Sequence, residues 1–164
     1  MLKILVASAT TFLALTLSVV PAGAAGAQTF TQHINTLADN IPATCAGPFT
    51  GATLVNATGN GVQHFTGNKT GFWFTATFEG QGTIQQFTPS PNGPVAGAVY
   101  QGHVQEWIGT EDNLKTLIPF HATFNFNGTN VADPSQALSM HIETQTTINP
   151  DGTVTVNRFT VSCR

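Results

Sequence analysis

The sequence predicts an all-β fold: a single domain of about eight mostly antiparallel strands, with a β-barrel favoured over a β-sandwich. Three observations carry that expectation. After Gln28 no segment shows the apolar stripe of an amphipathic helix. Apolar and polar residues alternate with period two instead, in stretches rich in Thr, Val, Ile and Phe. Turn-forming residues then punctuate the alternation at short intervals.

Composition narrows the class further. Of 164 residues, 41% are hydrophobic and only 8% are charged, against about 25% charged in an average soluble domain. The surface therefore falls to Thr, Asn, Gln and Gly. Twelve Phe exclude a disordered tail, and 5 Lys+Arg against 8 Asp+Glu exclude the basic footprint of a nucleic-acid binder.

The first element is an address. Met1-Leu2-Lys3 begins positively, an apolar run follows to Val20, and Pro21 leads into Ala22-Gly23-Ala24-Ala25-Gly26-Ala27. That order predicts a secretory signal peptide over residues 1–27, cut after Ala27. Residues 28–164 are then a secreted, extracellular β domain, and no later stretch is apolar enough to span a bilayer.

The strands follow in chain order: Thr29–Ile34, Gly51–Ala57, Val62–Thr66, Phe72–Phe87, Val99–Ile108, Phe120–Asn127, Leu138–Ile148 and Thr153–Ser162. Leu37–Ala43 allows a helical turn. Asn60-Gly61 is expected to join the second and third strands as a tight hairpin. Gly67-Asn68-Lys69-Thr70-Gly71 and Asn149-Pro150-Asp151-Gly152 are further tight connections, and Pro89–Pro94 is a loop. The clearest alternation sets Phe72, Phe74, Ala76 and Phe78 against Trp73, Thr75, Thr77 and Glu79. In the last strand the apolar phase changes between Val154/Val156 and Phe159/Val161, which predicts a bulge near Asn157-Arg158.

Cys45 and Cys163 are the only cysteines. An exported chain with two allows a single intramolecular pairing, so a Cys45–Cys163 disulfide is expected. Two cysteines so far apart, without a CxxC or HxH beside them, make a poor zinc site. Neither a metal nor a cofactor is expected.

Candidate ligand-binding residues are Tyr100, His103, Glu106 and Trp107. Their strand has two mixed rows: Tyr100, Val104 and Glu106 on one, and His103, Gln105 and Trp107 on the other. If the Val104 row faces inward, Glu106 enters the interior, where a lone carboxylate is costly. His141 and Glu143 share a strand face and are the one further acid–base candidate, although no third partner marks them. No nucleophile motif is present, so catalytic residues are not assigned.

The Ala-rich signal, the Phe/Thr strand, Gly102–Gly109 around Val104-Gln105 and Trp107-Ile108, and the near-terminal Val161-Ser162-Cys163 resemble small uncharacterised secreted proteins of actinobacteria. Gly71-Phe72-Trp73 resembles the first signature of lipocalins, which are calycin-type barrels. Size and strand count are similar to dirigent and allene-oxide-cyclase barrels, a fold-level likeness that assigns no residue. The function expected first is a barrel binding a small apolar or aromatic ligand. Second is an extracellular protein-interaction or inhibitor-like module with an exposed Trp73 or Trp107. Third is an isomerase- or cyclase-type barrel enzyme.

Overall fold

The computed structural model describes residues 27–42, 52–88, 90–112 and 118–164. The expected signal segment before Ala27, and Cys45, lie outside the described residues. The described residues form seven strands: β1 (Gln28–Pro42), β2 (Ala52–Asn68), β3 (Gly71–Thr88), β4 (Val95–Asp112), β5 (Ile118–Asn130), β6 (Ala137–Ile148) and β7 (Val154–Cys163). They form one antiparallel sheet in sequence order, each strand hydrogen-bonded to its chain neighbours.

The period-two pattern decides which face is buried. On β3, Ala76, Phe78 and Ile84 are buried while Thr77, Glu79 and Gln81 are exposed. The inward rows of β2 to β6 meet in one cluster that includes Ala57, Phe78, Ile84, Tyr100, Val104, Phe124, Phe126, Leu138, Met140 and Ile142. Phe126, Ile84 and Val104 are wholly buried, and each such side chain contributes about 1.5–3 kcal/mol through the area it removes from water.

The count of eight strands is corrected to seven because Asn60-Gly61 is not a turn. Both residues continue the ladder, Asn60 opposite Glu79 and Gly61 opposite Phe78. A type I′ turn needs positive φ at its central residues, and among the described residues the positive-φ glycines are Gly71, Gly93 and Gly152. Gly61 is glycine for want of room: a Cβ there would lie 2.6 Å from Ile34 Cγ1 and 2.7 Å from the Thr77 carbonyl oxygen.

The barrel is likewise corrected to an open sheet. Every described ladder joins sequence neighbours, and seven antiparallel strands leave β1 and β7 running in the same direction. Closure would demand a parallel ladder, which is less stable per residue than its antiparallel counterpart. The eighth strand would have made that closure antiparallel.

The helical turn at Leu37–Ala43 is replaced by strand through Pro42. The register shifts between Ile34 and Thr36, where Asn35 alone faces Gly59 and Asn60. Ile34 and Leu37 therefore both pack on the core although they stand three apart, the spacing that resembles a helix. The bulge in β7 is present but earlier than expected, since the register shifts opposite Thr147 and Ile148, between Val154 and Val156.

The other turns agree with expectation. Gly93 N–H donates to the Ser90 carbonyl at 3.1 Å, and Gly152 N–H donates to the Asn149 carbonyl at 2.9 Å. Both glycines take the positive φ that an L side chain resists.

Cys163 is disulfide-bonded. The pairing with Cys45 is expected to appear as an intact mass that rises by one hydrogen pair on reduction. An unchanged mass would overturn it.

A line of glycines curls the sheet. Gly59 pairs with Gly80, Gly82 with Gly102, and Gly102 with Gly128. At Gly59, Gly80 and Gly102 an added Cβ would meet neighbouring backbone well inside 3.0 Å. Strands approach here as side chains elsewhere would not permit, and the sheet bends over its apolar face.

Candidate functional site

The ladder separates the chemistry-bearing residues by face. Tyr100 and Glu106 share the inner row of β4 with Val104, while His103 and Trp107 point outward. Tyr100 is only 5% exposed and belongs to the core cluster. The four candidate residues therefore do not converge on one pocket, because alternation places them two and two on opposite faces.

Glu106 is flanked by Phe78 and Phe124, its cross-strand partners. Burial among them pushes its carboxyl up to about 7, and the charge of Asp39 pushes in the same direction. In the ladder Asp39 lies opposite Val55, which leads through Ile84 to Tyr100 rather than to Glu106. The influence of an edge strand on mid-sheet β4 reflects the curl of the sheet.

The outer face is of another kind. One cross-strand row reads His33, Val62, Thr77, Trp107, Thr123, Glu143 and Thr160. The rows on either side bring in His64 and His121, and Asn60, Glu79, Gln105, Asn125 and His141. His103 and Trp73 follow in the next rows outward. All five histidines and both tryptophans of the chain thus stand on the face opposite the core.

Their contacts run between strands. The Trp107 indole meets the His121 ring edge-on with centroids 5.4 Å apart, and Trp73 meets His64 in the same way at 5.6 Å. His121 Nε2 lies 3.4 Å from Glu143 Oε1, and His103 Nε2 lies 3.3 Å from Glu79 Oε1. The first pair is at ion-pair distance but lacks hydrogen-bond geometry, since His121 Nε2 has no hydrogen-bond partner. Exposed pairs of this type contribute about 0–1 kcal/mol. His141 Nδ1 is 2.7 Å from Asn125 Oδ1, so His141 and Glu143 each turn to a partner on β5 instead of acting together.

Between these groups the outer face holds an open depression of about 370 Å³ crossing β2 to β5. Trp107 forms one side, and Asn60, Gln105 and Asn125 line it with Thr77, Thr123 and the Glu79 carboxylate. Phe78 and Glu106 contribute to its floor, although their side chains belong to the inner row. Gly109 explains the posture of the indole: a Cβ there would lie 2.6 Å from Trp107 Cη2 and 2.8 Å from Cζ2. The ring lies down along its own strand over that glycine, and Trp107 remains 37% exposed.

Of this constellation sequence reasoning identified Trp107 and Glu106 and missed Asn60, Thr77, Glu79, Thr123 and Asn125 as their neighbours. Alternation gives the phase of each strand, which already sets Gly109 beside Trp107 on β4. It does not give the register between strands, and only register brings the residues of β2, β3 and β5 to Trp107. Among the described residues no group of three or more His, Cys, Asp or Glu is arranged to hold a metal ion. Comparison with protein-family models, with curated proteins and with solved structures finds no match for this chain.

Proposed function

We propose that the protein is an exported binding domain that takes its partner on the outer face of the sheet, in the depression beside Trp107. The segregation of faces carries this reading: the inner rows fill a core, while both indoles and the Asn, Gln and Thr side chains around Trp107 are gathered on the face that packs against nothing described. Exposed aromatic groups ringed by polar ones, here amides and hydroxyls with the Glu79 carboxylate, are the composition of a recognition surface. Export rests on the expected signal peptide and on the disulfide-bonded Cys163.

The test is sedimentation of the purified protein with insoluble extracellular material from its own culture. The unmodified protein is expected to pellet, Trp107→Ala to stay in solution, and a control change at exposed Val131 (59% exposed) to pellet normally. Equal behaviour of all three would overturn the reading.

A second reading has one observation behind it. Glu106 beside Phe78 and Phe124 puts an ionisable hydrogen-bonding group within apolar walls, as a site for a small apolar or aromatic ligand on the concave face would require. Native mass spectrometry of protein taken from the medium separates the two. Extra mass released on denaturation supports the concave-face ligand, and a clean apo mass counts against it.

A further inference from the structure

We propose that the outer-face depression binds a neutral polysaccharide, with the Trp107 indole as the platform for a sugar ring and the amide side chains of Asn60, Gln105 and Asn125 as its hydroxyl readers. This rests on the surface-binding reading and names the class of ligand.

The chemistry of the lining is selective. Neither Lys nor Arg lines the depression, and its ionisable lining residues are Glu79 and Glu106. A phosphate or sulfate group would find no cation to offset its desolvation and would meet carboxylate repulsion instead. Asn and Gln each present two N–H donors and a carbonyl acceptor, and Thr presents one hydroxyl that does both. Such groups match a ligand whose own groups both donate and accept without charge, namely vicinal hydroxyls. An apolar ligand would leave those amides and hydroxyls desolvated and unpaired, which costs about 1–3 kcal/mol each.

The indole supplies the other half. A sugar ring has a polar rim and an apolar C–H face, and an aromatic ring lying flat with one side to solvent is complementary to that face. Gly109 permits this posture, because any Cβ there would strike the six-membered ring of Trp107.

A polymer, rather than a short glycan on a protein, is indicated by extent. The depression crosses four strands, about 14 Å at the usual strand spacing. The second exposed indole, Trp73 (44% exposed), stands on the same face, opposite Glu111 and two residues along β3 from Thr75, which pairs with Gly109. A chain lying across both indoles would be held at more than one sugar.

The test is affinity electrophoresis of the disulfide-intact protein in native gels containing dextran, laminarin, mannan or xylan, with alginate as the charged counterpart. Retardation by at least one neutral polymer and none by alginate is the expected result. Trp107→Ala is expected to weaken retardation at least about tenfold, as for a central aromatic anchor. Gly109→Ala keeps every hydrogen-bonding group but displaces the indole, and is expected to weaken it several-fold with the far-ultraviolet spectrum unchanged.

Retardation that survives both substitutions would overturn the site. No retardation in any neutral gel, with the protein still pelleting with extracellular material in a Trp107-dependent way, would overturn the polysaccharide while leaving the surface-binding reading in place. Failure of both experiments would remove both.

Discussion

Gly102→Val is expected to lower stability by at least about 3 kcal/mol, or to prevent folding outright. Gly102 lies between Gly82 on β3 and Gly128 on β5. The first atoms a Cβ would meet are the Asn127 carbonyl oxygen and Gly128 Cα, both far inside 3.0 Å. These are backbone atoms of a hydrogen-bonded neighbour, so no rotamer change relieves the clash and the strands must part. Thermal unfolding is then expected about 10 °C or more below the unmodified protein. Gly109→Ala is the internal control, since what obstructs it is the tip of the Trp107 side chain, which can swing away. If Gly102→Val melts with the control, the glycine line does not hold the curl.

The same glycines mark how far the sequence could be read. The alternation of Phe72, Phe74, Ala76 and Phe78, and of Leu138, Met140 and Ile142, names inward rows correctly because period two is a property of one strand alone. Ala76, Phe78, Leu138, Met140 and Ile142 are buried, and Phe72 and Phe74 are half-buried toward the start of their strand. Asn60-Gly61 misleads because a glycine needed for a hairpin and one needed for strand contact look identical in sequence. The difference lies in Ile34 and the Thr77 carbonyl, distant in chain and adjacent in space. That single misreading split β2, raised the strand count to eight, and made antiparallel closure seem natural. The site suffered from the same gap. Trp107 and Glu106 stand out in a low-charge chain by type, but their separation onto two faces follows from which row holds Val104. The neighbours Asn60 and Asn125, brought from β2 and β5, follow only from the register of three successive ladders.

Glu106→Gln is expected to make the protein more stable, and only where the carboxylate would be ionised. The carboxyl of Glu106 is pushed from 4.5 to about 7 in the folded chain, first by burial and then by Asp39. Between those values the unfolded chain has lost its proton while the folded chain retains it, so stability falls as pH rises through that window and levels off above it. A displacement of this size corresponds to roughly 3 kcal/mol at pH 8. Gln presents nearly the same shape as the protonated acid without titrating. Variant and parent should thus melt together near pH 4 and diverge steadily up to about pH 8, with the variant higher. Asp39→Asn should show a smaller part of the same divergence, since it removes only the lesser cause. Parallel melting profiles from pH 4 to 8 would mean that Glu106 reaches water in the folded state. Because Glu106 contributes to the floor of the outer depression as well as to the inner row, the two binding readings are separated by pairing this substitution with Trp107→Ala. A ligand held beside Trp107 on the outer face should bind Trp107→Ala more weakly than the parent. A ligand resting on the concave face between Phe78 and Phe124 should bind Trp107→Ala as it binds the parent, and Glu106→Gln with altered affinity and without the parent's pH dependence near 7.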